Sequence, residues 1–90
     1  MEYIDIVQLR RHCRTEEDED EYMVWLADSA ESLLEGKGII PNPSTLPAYQ
    51  LAEASIVLYW HDNPSGIGTI PEALRDMVTN LKQQMIQGVI

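Results

Sequence analysis

The stretch STLPAYQLAEASIVLYWHDN, residues 44–63, decides the fold, because its spacing predicts a helix surrounded by neighbours. Ser44 or Thr45 can cap it, and Pro47 sits where a first-turn proline is tolerated. At about 100° per residue, the polar positions Gln50, Glu53 and His61 fall in one narrow strip. Ala48, Leu51, Ala52, Ile56, Leu58, Tyr59 and Trp60 occupy most of the remaining circumference. A helix apolar nearly all round is expected to be covered on several sides. It is too short and too polar at its ends for a membrane span. The other helices must cover it, and whatever they leave bare is expected to be covered by another subunit.

Outward from this centre, the chain reads as an all-α, small bundle of about four helices. On the N-terminal side, a first helix is expected from Ile6 to Cys13. Asp5 is its N-cap, Gln8 the capping-box partner, and Ile4 with Leu9 a hydrophobic staple. Ile6, Leu9 and Cys13 form its inward stripe, and Arg10, Arg11 and Arg14 suit the negative end of its dipole. Six consecutive acids follow, Glu16, Glu17, Asp18, Glu19, Asp20 and Glu21. They are expected to form the turn and first helical turn of a second helix, capped by Thr15 or Asp18.

The second helix is expected to run to Glu35 and stop at Gly36. Tyr22, Met23, Leu26, Ala27, Ala30, Leu33 and Leu34 make its broad apolar arc. Trp25 lies outside that arc, beside Ser29 and Ser32, and is the misfit of this helix. The linking segment GKGIIPNPSTL, residues 36–46, cannot continue either helix, and Ile39 and Ile40 are expected to run briefly extended in a flexible loop. On the C-terminal side, Asn63-Pro64-Ser65-Gly66-Ile67-Gly68 is a second break. Thr69-Ile70-Pro71-Glu72 reads as a capping box opening a last helix. Its stripe is Ile70, Leu74, Met77, Val78, Leu81 and Met85, and Gly88 is expected to end it ahead of Val89 and Ile90.

Ninety residues make one domain, residues 1–90, burying somewhat over ~60% of the surface of the extended chain. A net charge of −9, from 15 acids and 6 bases, argues against binding nucleic acid through its phosphates. One cysteine cannot form an internal disulfide, which points to a reducing compartment. The opening MEYIDIVQLRR lacks the apolar core and cleavage site of a secretory signal, so the chain is expected to be cytosolic when made.

Reactive chemistry finds no support in the sequence. His12 and Cys13 are adjacent and so point to different faces of a helix, while His61 is far away in sequence. No C-x-x-C, H-x-x-x-H or second cysteine completes a metal site, and no cofactor is expected. The acids of residues 16–21 lack the alternating ligands and central glycine of a calcium loop. Neither a Gly-rich phosphate loop nor a Ser–His–acid arrangement is present, so no enzyme is expected. A DNA-reading helix-turn-helix is also excluded, because its second helix would start with six carboxylates.

Charge patterning suggests head-to-tail assembly instead. The basic edge of one copy, Arg10, Arg11 and Arg14, would face the acidic edge of the next, Glu16–Glu21, with Glu19 and Asp20 as its expected contact residues and Trp25 near the joint. Ile39 and Ile40 complete the expected interface residues.

The order of these pieces resembles the small head–tail connector proteins of tailed bacteriophages, also called head-completion or adaptor proteins. The resemblance lies in Leu9-Arg10-Arg11-His12-Cys13-Arg14, the acids that follow, and Leu26 with Ala30. It continues through residues 52–63, ending in Tyr59-Trp60-His61-Asp62-Asn63, and Ile70-Pro71-Glu72-Ala73-Leu74. Two departures are Cys13, where a leucine is expected, and a Gln-Gly-Val-Ile ending in place of a basic or aromatic one. The resemblance implies a homo-oligomeric ring, commonly dodecameric, beneath the portal protein. That ring extends the DNA channel, without specific DNA binding, and offers a platform to a tail-side connector or tail terminator. It places the protein in the virion at the head–tail interface, and in the host cytoplasm before assembly. It carries no catalytic residues. The competing expectation is a small acidic helical adaptor or inhibitor of a host protein, such as a DNA mimic. Bunching six of the 15 acids in one run weighs against a mimic, which must spread its carboxylates.

Overall fold

The computed structural model describes residues 1–87, with Ile86 and Gln87 described by their backbone alone. It is an all-helical bundle: α1 (Ile6–Cys13), α2 (Asp20–Gly36), α3 (Leu46–Asp62) and α4 (Glu72–Gln87). A single 3-10 turn precedes α2 at Glu17–Glu19, and another follows α3 at Pro64–Gly66. The expected stop at Gly88 and the Val89-Ile90 tail lie outside the described residues. No helix among the described residues is long and apolar enough to cross a membrane.

Helix α1 begins as its sequence dictates. The Gln8 backbone N–H donates to Asp5 Oδ1 at 2.8 Å, and the Asp5 N–H donates to Gln8 Oε1 at 3.0 Å. Ile4 and Leu9 are both buried in the common core. Arg14 ends the helix in the left-handed region, φ 56°, where its N–H reaches the Arg10 carbonyl.

The start of α2 differs from expectation. Neither Thr15 nor Asp18 caps it; the chain makes the 3-10 turn, held by the Glu19 N–H on the Glu16 carbonyl, and then winds into α2. Asp20 and Glu21 remain in the first α-helical turn, where carboxylates complement the dipole. Met23, Leu26, Ala27, Ala30 and Leu34 are buried as the arc predicts. Tyr22 is not: its ring leaves the arc and stacks on Trp25.

Helix α2 stops at Gly36 as expected, but the segment after it differs. Gly38 adopts φ 79°, its N–H donates to Glu35 O, and the Ile39 N–H donates to Leu34 O at 3.0 Å. This paired arrangement turns the residue after the glycine back onto the helix. Ile39 is therefore buried beside Leu34 in the core, not free in a flexible loop, whereas Ile40 projects outward at 55% exposure.

Neither Ser44 nor Thr45 caps α3 through its side chain; Asn42 organises the turn. Asn42 Oδ1 accepts the N–H groups of Ser44 and Thr45, and its carbonyl accepts that of Leu46. Pro47 sits in the first turn as expected.

Helix α3 packs against all three other helices and is the centre of the bundle. Its buried positions are Tyr49, Ala52, Glu53, Ala54, Ile56, Val57 and Trp60. Two corrections follow. Glu53 lies inside, because it stands four residues after Tyr49 and four before Val57 on the covered face. Ala48, Leu51 and Tyr59 lie outside, on a face that no other helix covers among the described residues. Tyr59 lies over Gly66, where an added Cβ would come within 3.1 Å of the ring.

The capping box at Thr69 does not form. The Thr69 hydroxyl donates to Gly66 O at 2.7 Å, its carbonyl accepts the Trp60 indole N–H at 2.8 Å, and α4 begins at Glu72. The stripe of α4 is as expected: Val78 and Leu81 are buried, with Ile70, Leu74, Met77 and Met85 packed against the core.

Candidate functional site

The junction of α1, the acidic turn and the end of α3 gathers three of the expected interface residues, Arg10, Glu19 and Asp20. Arg10 Nε donates to Asp20 Oδ1 at 2.9 Å and Arg10 Nη2 donates to Asp20 Oδ2, a two-pronged pair joining α1 to α2. The bond to Asp20 raises the Arg10 pKa, and the bond from Arg10 lowers that of Asp20. Glu19 binds His61 Nε2 at 2.8 Å, linking the 3-10 turn to the last turn of α3. Arg10, Asp20 and Glu19 thus find partners inside one chain. Opposite charges close in sequence can satisfy each other locally before a neighbouring copy is considered.

The hydrogen bond to Glu19 raises the His61 pKa; burial opposes it, and Asp62 assists. A histidine whose folded pKa is raised adds stability that is complete below its unfolded pKa and lost as pH rises through the folded one. His61→Gln should therefore cost about 0.5 kcal/mol at pH 6, as half-exposed pairs do, and nothing measurable at pH 9. Urea unfolding at the two pH values checks this; an equal cost at both would show that the ionic bond is immaterial.

Beside this junction the rings of Tyr22 and Trp25 stack, with centroids 5.9 Å apart and planes at 28°. Tyr22 lies 6.2 Å from the His61 ring. Trp25 is 53% exposed, in keeping with its place outside the apolar arc. Arg11 and Arg14 are exposed and have no ion-pair partner among the described residues. Ile39 and Ile40 stand at the other end of α2, about 25 Å away at 1.5 Å per helical residue. The expected residues therefore form one cluster and one distant pair, not a continuous edge.

Two cavities were not anticipated. One, of about 570 Å³, is lined by Tyr3, Asp28, Glu31, Glu35, Ile40 and Tyr49 among others. Glu31 accepts the backbone N–H groups of Glu2 and Tyr3, fastening the N-terminal segment to α2. Glu53 lies next to Glu31, fully buried, with both carboxyl oxygens lacking a hydrogen-bond partner among the described residues. Burial, with the neighbouring Glu31 acting in the same direction, pushes its pKa up to about 10. Glu53 is thus neutral at pH 7. Its position midway between Tyr49 and Val57 was the available signal.

The second cavity is a groove of about 730 Å³ between α2 and α4, with Lys37, Arg75 and Lys82 on it. Arg75 and Lys82 are seven residues apart, two turns along one face of α4, a spacing visible in the sequence.

Burial raises the Cys13 pKa to about 11, so almost no reactive thiolate exists at neutral pH. Among the described residues, no group of three or more His, Cys, Asp or Glu side chains is placed to hold a metal ion. What the arrangement offers is surface: paired charges that lock the helices, and apolar side chains left open. No family model matches this chain, and no curated protein or solved structure matches it either.

Proposed function

We propose that this chain is a structural, non-enzymatic virion protein. Copies form a ring beneath the capsid portal, extend the DNA channel and join head to tail. The observation that carries this reading is the uncovered face of the central helix. Leu51 is 52% exposed and Tyr59 38%, on the helix that the fold otherwise surrounds. Trp25 adds a third large apolar group on α2. A 90-residue bundle leaving such groups open on separate helices suits contacts with neighbours on several sides. The residue order that resembles the head–tail connectors points the same way. A net charge of −9 suits a conduit, because a lumen that held phosphates tightly would retard DNA.

The test is co-sedimentation with portal-bearing, DNA-filled heads, followed by negative-stain imaging of the vertex. The chain should travel with the heads and add a ring of density. With Trp60→Phe leaving Trp25 as the sole tryptophan, its emission should shift to the blue on incorporation, as water leaves the indole. Normal infectious particles assembling without the protein would refute the proposal.

A further inference from the structure

Cations are scarce in this chain, and half of them meet in one place. Of six Lys and Arg residues, three line the groove between α2 and α4. Lys37 and Lys82 are the only lysines in the sequence. None of the three has an ion-pair partner among the described residues. Between them the groove is lined by Leu33, Ile70 and Val78, so an apolar floor carries a cationic rim. The chemistry that fits is a segment bearing several carboxylates next to a large apolar side chain.

The opposite end of α2 presents that chemistry. Glu16, Glu17, Asp18 and Glu21 are exposed there, followed within one turn by the open Tyr22–Trp25 stack. The groove begins at the last turns of the same helix, about 25 Å along it, so one molecule cannot bring the two together. A second copy can.

We infer that the groove of one copy receives the acidic, aromatic start of α2 from the next. Glu16, Glu17, Asp18 and Glu21 face Lys37, Arg75 and Lys82, and Trp25 lies on the apolar floor. This inference rests on the ring reading in taking identical copies as neighbours, and it assigns the basic side of their contact. That side is not α1. Arg10 is already held by Asp20, and Arg11 and Arg14 lie within a few residues of the acids, at the same end of the molecule. They moderate the acidic end and cannot be its distant complement. The contact joins two different patches, so repetition gives a ring where the rotation closes.

A charge swap tests the assignment, using the full chain in sedimentation velocity at rising concentration. Wild type should associate at low salt and weaken at about 0.5 M, where screening shortens to a few ångströms. The triple variant Lys37→Glu/Arg75→Glu/Lys82→Glu should lose about tenfold or more in association, as should Glu16→Lys/Glu17→Lys/Asp18→Lys. An equimolar mixture of the two variants should recover association, since each supplies the complement of the other. Recovery also shows that both variants are folded. Wild type remaining monomeric throughout, a groove variant that associates normally, or a mixture that does not recover would each overturn the inference. Rings at the portal that still admit the groove variant would overturn this contact alone. A successful swap by a chain absent from particles would leave the contact standing and remove the virion role.

Discussion

Glu53→Gln should stabilise the protein by about 3 kcal/mol at pH 7 and by much less near pH 4.5. In the native state the Glu53 carboxyl is buried and its pKa stands at about 10, against 4.5 for an ordinary glutamate. Between those values the native chain holds a proton that the unfolded chain has released. Stability therefore falls as pH rises, by about 1.4 kcal/mol per unit, until the native group itself ionises. The amide in Glu53→Gln keeps the shape and has no such proton to lose, so the gap between variant and wild type must widen with pH. Comparing the two chains removes the contributions of Asp20, His61 and the other titrating groups, which both share. A domain of this size has about 5–15 kcal/mol in total, so the effect is large. Urea unfolding from pH 5 to 8.5 provides the check. Parallel stability curves for wild type and Glu53→Gln would show that Glu53 is hydrated or ionised in the native protein.

The same residue shows where the sequence was legible and where it was not. Apolar periodicity located all four helices and the central place of α3, because burying a stripe depends on spacing along a single element. The Asp5–Gln8 box was readable for a related reason: both partners lie within one turn. Glu53 was misassigned by its chemistry, since a carboxylate is expected outside, although its register with Tyr49 and Val57 placed it within. Ile39 lies in the connecting segment as expected but is not free there; the glycine one position earlier, at positive φ, folds it back onto Leu34. Thr69 matched a capping box but gave its carbonyl to an indole nine residues earlier, a tertiary bond no local pattern encodes.

The candidate site divides along the same line. Trp25 could be found as an apolar residue among polar neighbours. The pairing of Arg10 with Asp20 required knowing how α1 turns into α2, which depends on the 3-10 turn. The groove required more, because Lys37 stands just after α2 and Lys82 on α4, and they line one groove only when α4 docks.

That docking is held by Trp60, whose loss should be the most damaging single change in the core. The indole is fully buried at the end of α3, and its N–H donates to the Thr69 carbonyl at 2.8 Å. It thereby fixes the segment that turns the chain into α4. Trp60→Ala should cost about 3–5 kcal/mol through the cavity it leaves. Trp60→Phe separates filling from tethering: it keeps most of the ring volume and removes the donor. Its cost should be about 1–2 kcal/mol, since the exposed Thr69 can turn its carbonyl to water. The informative measurement is hydrogen exchange in Trp60→Phe. Amides of α4 should exchange faster than in wild type, while those of α1 and α2, packed on other faces of α3, keep most of their protection. Equal acceleration in all four helices would mean that the indole only fills space and that α4 is held by its own apolar stripe.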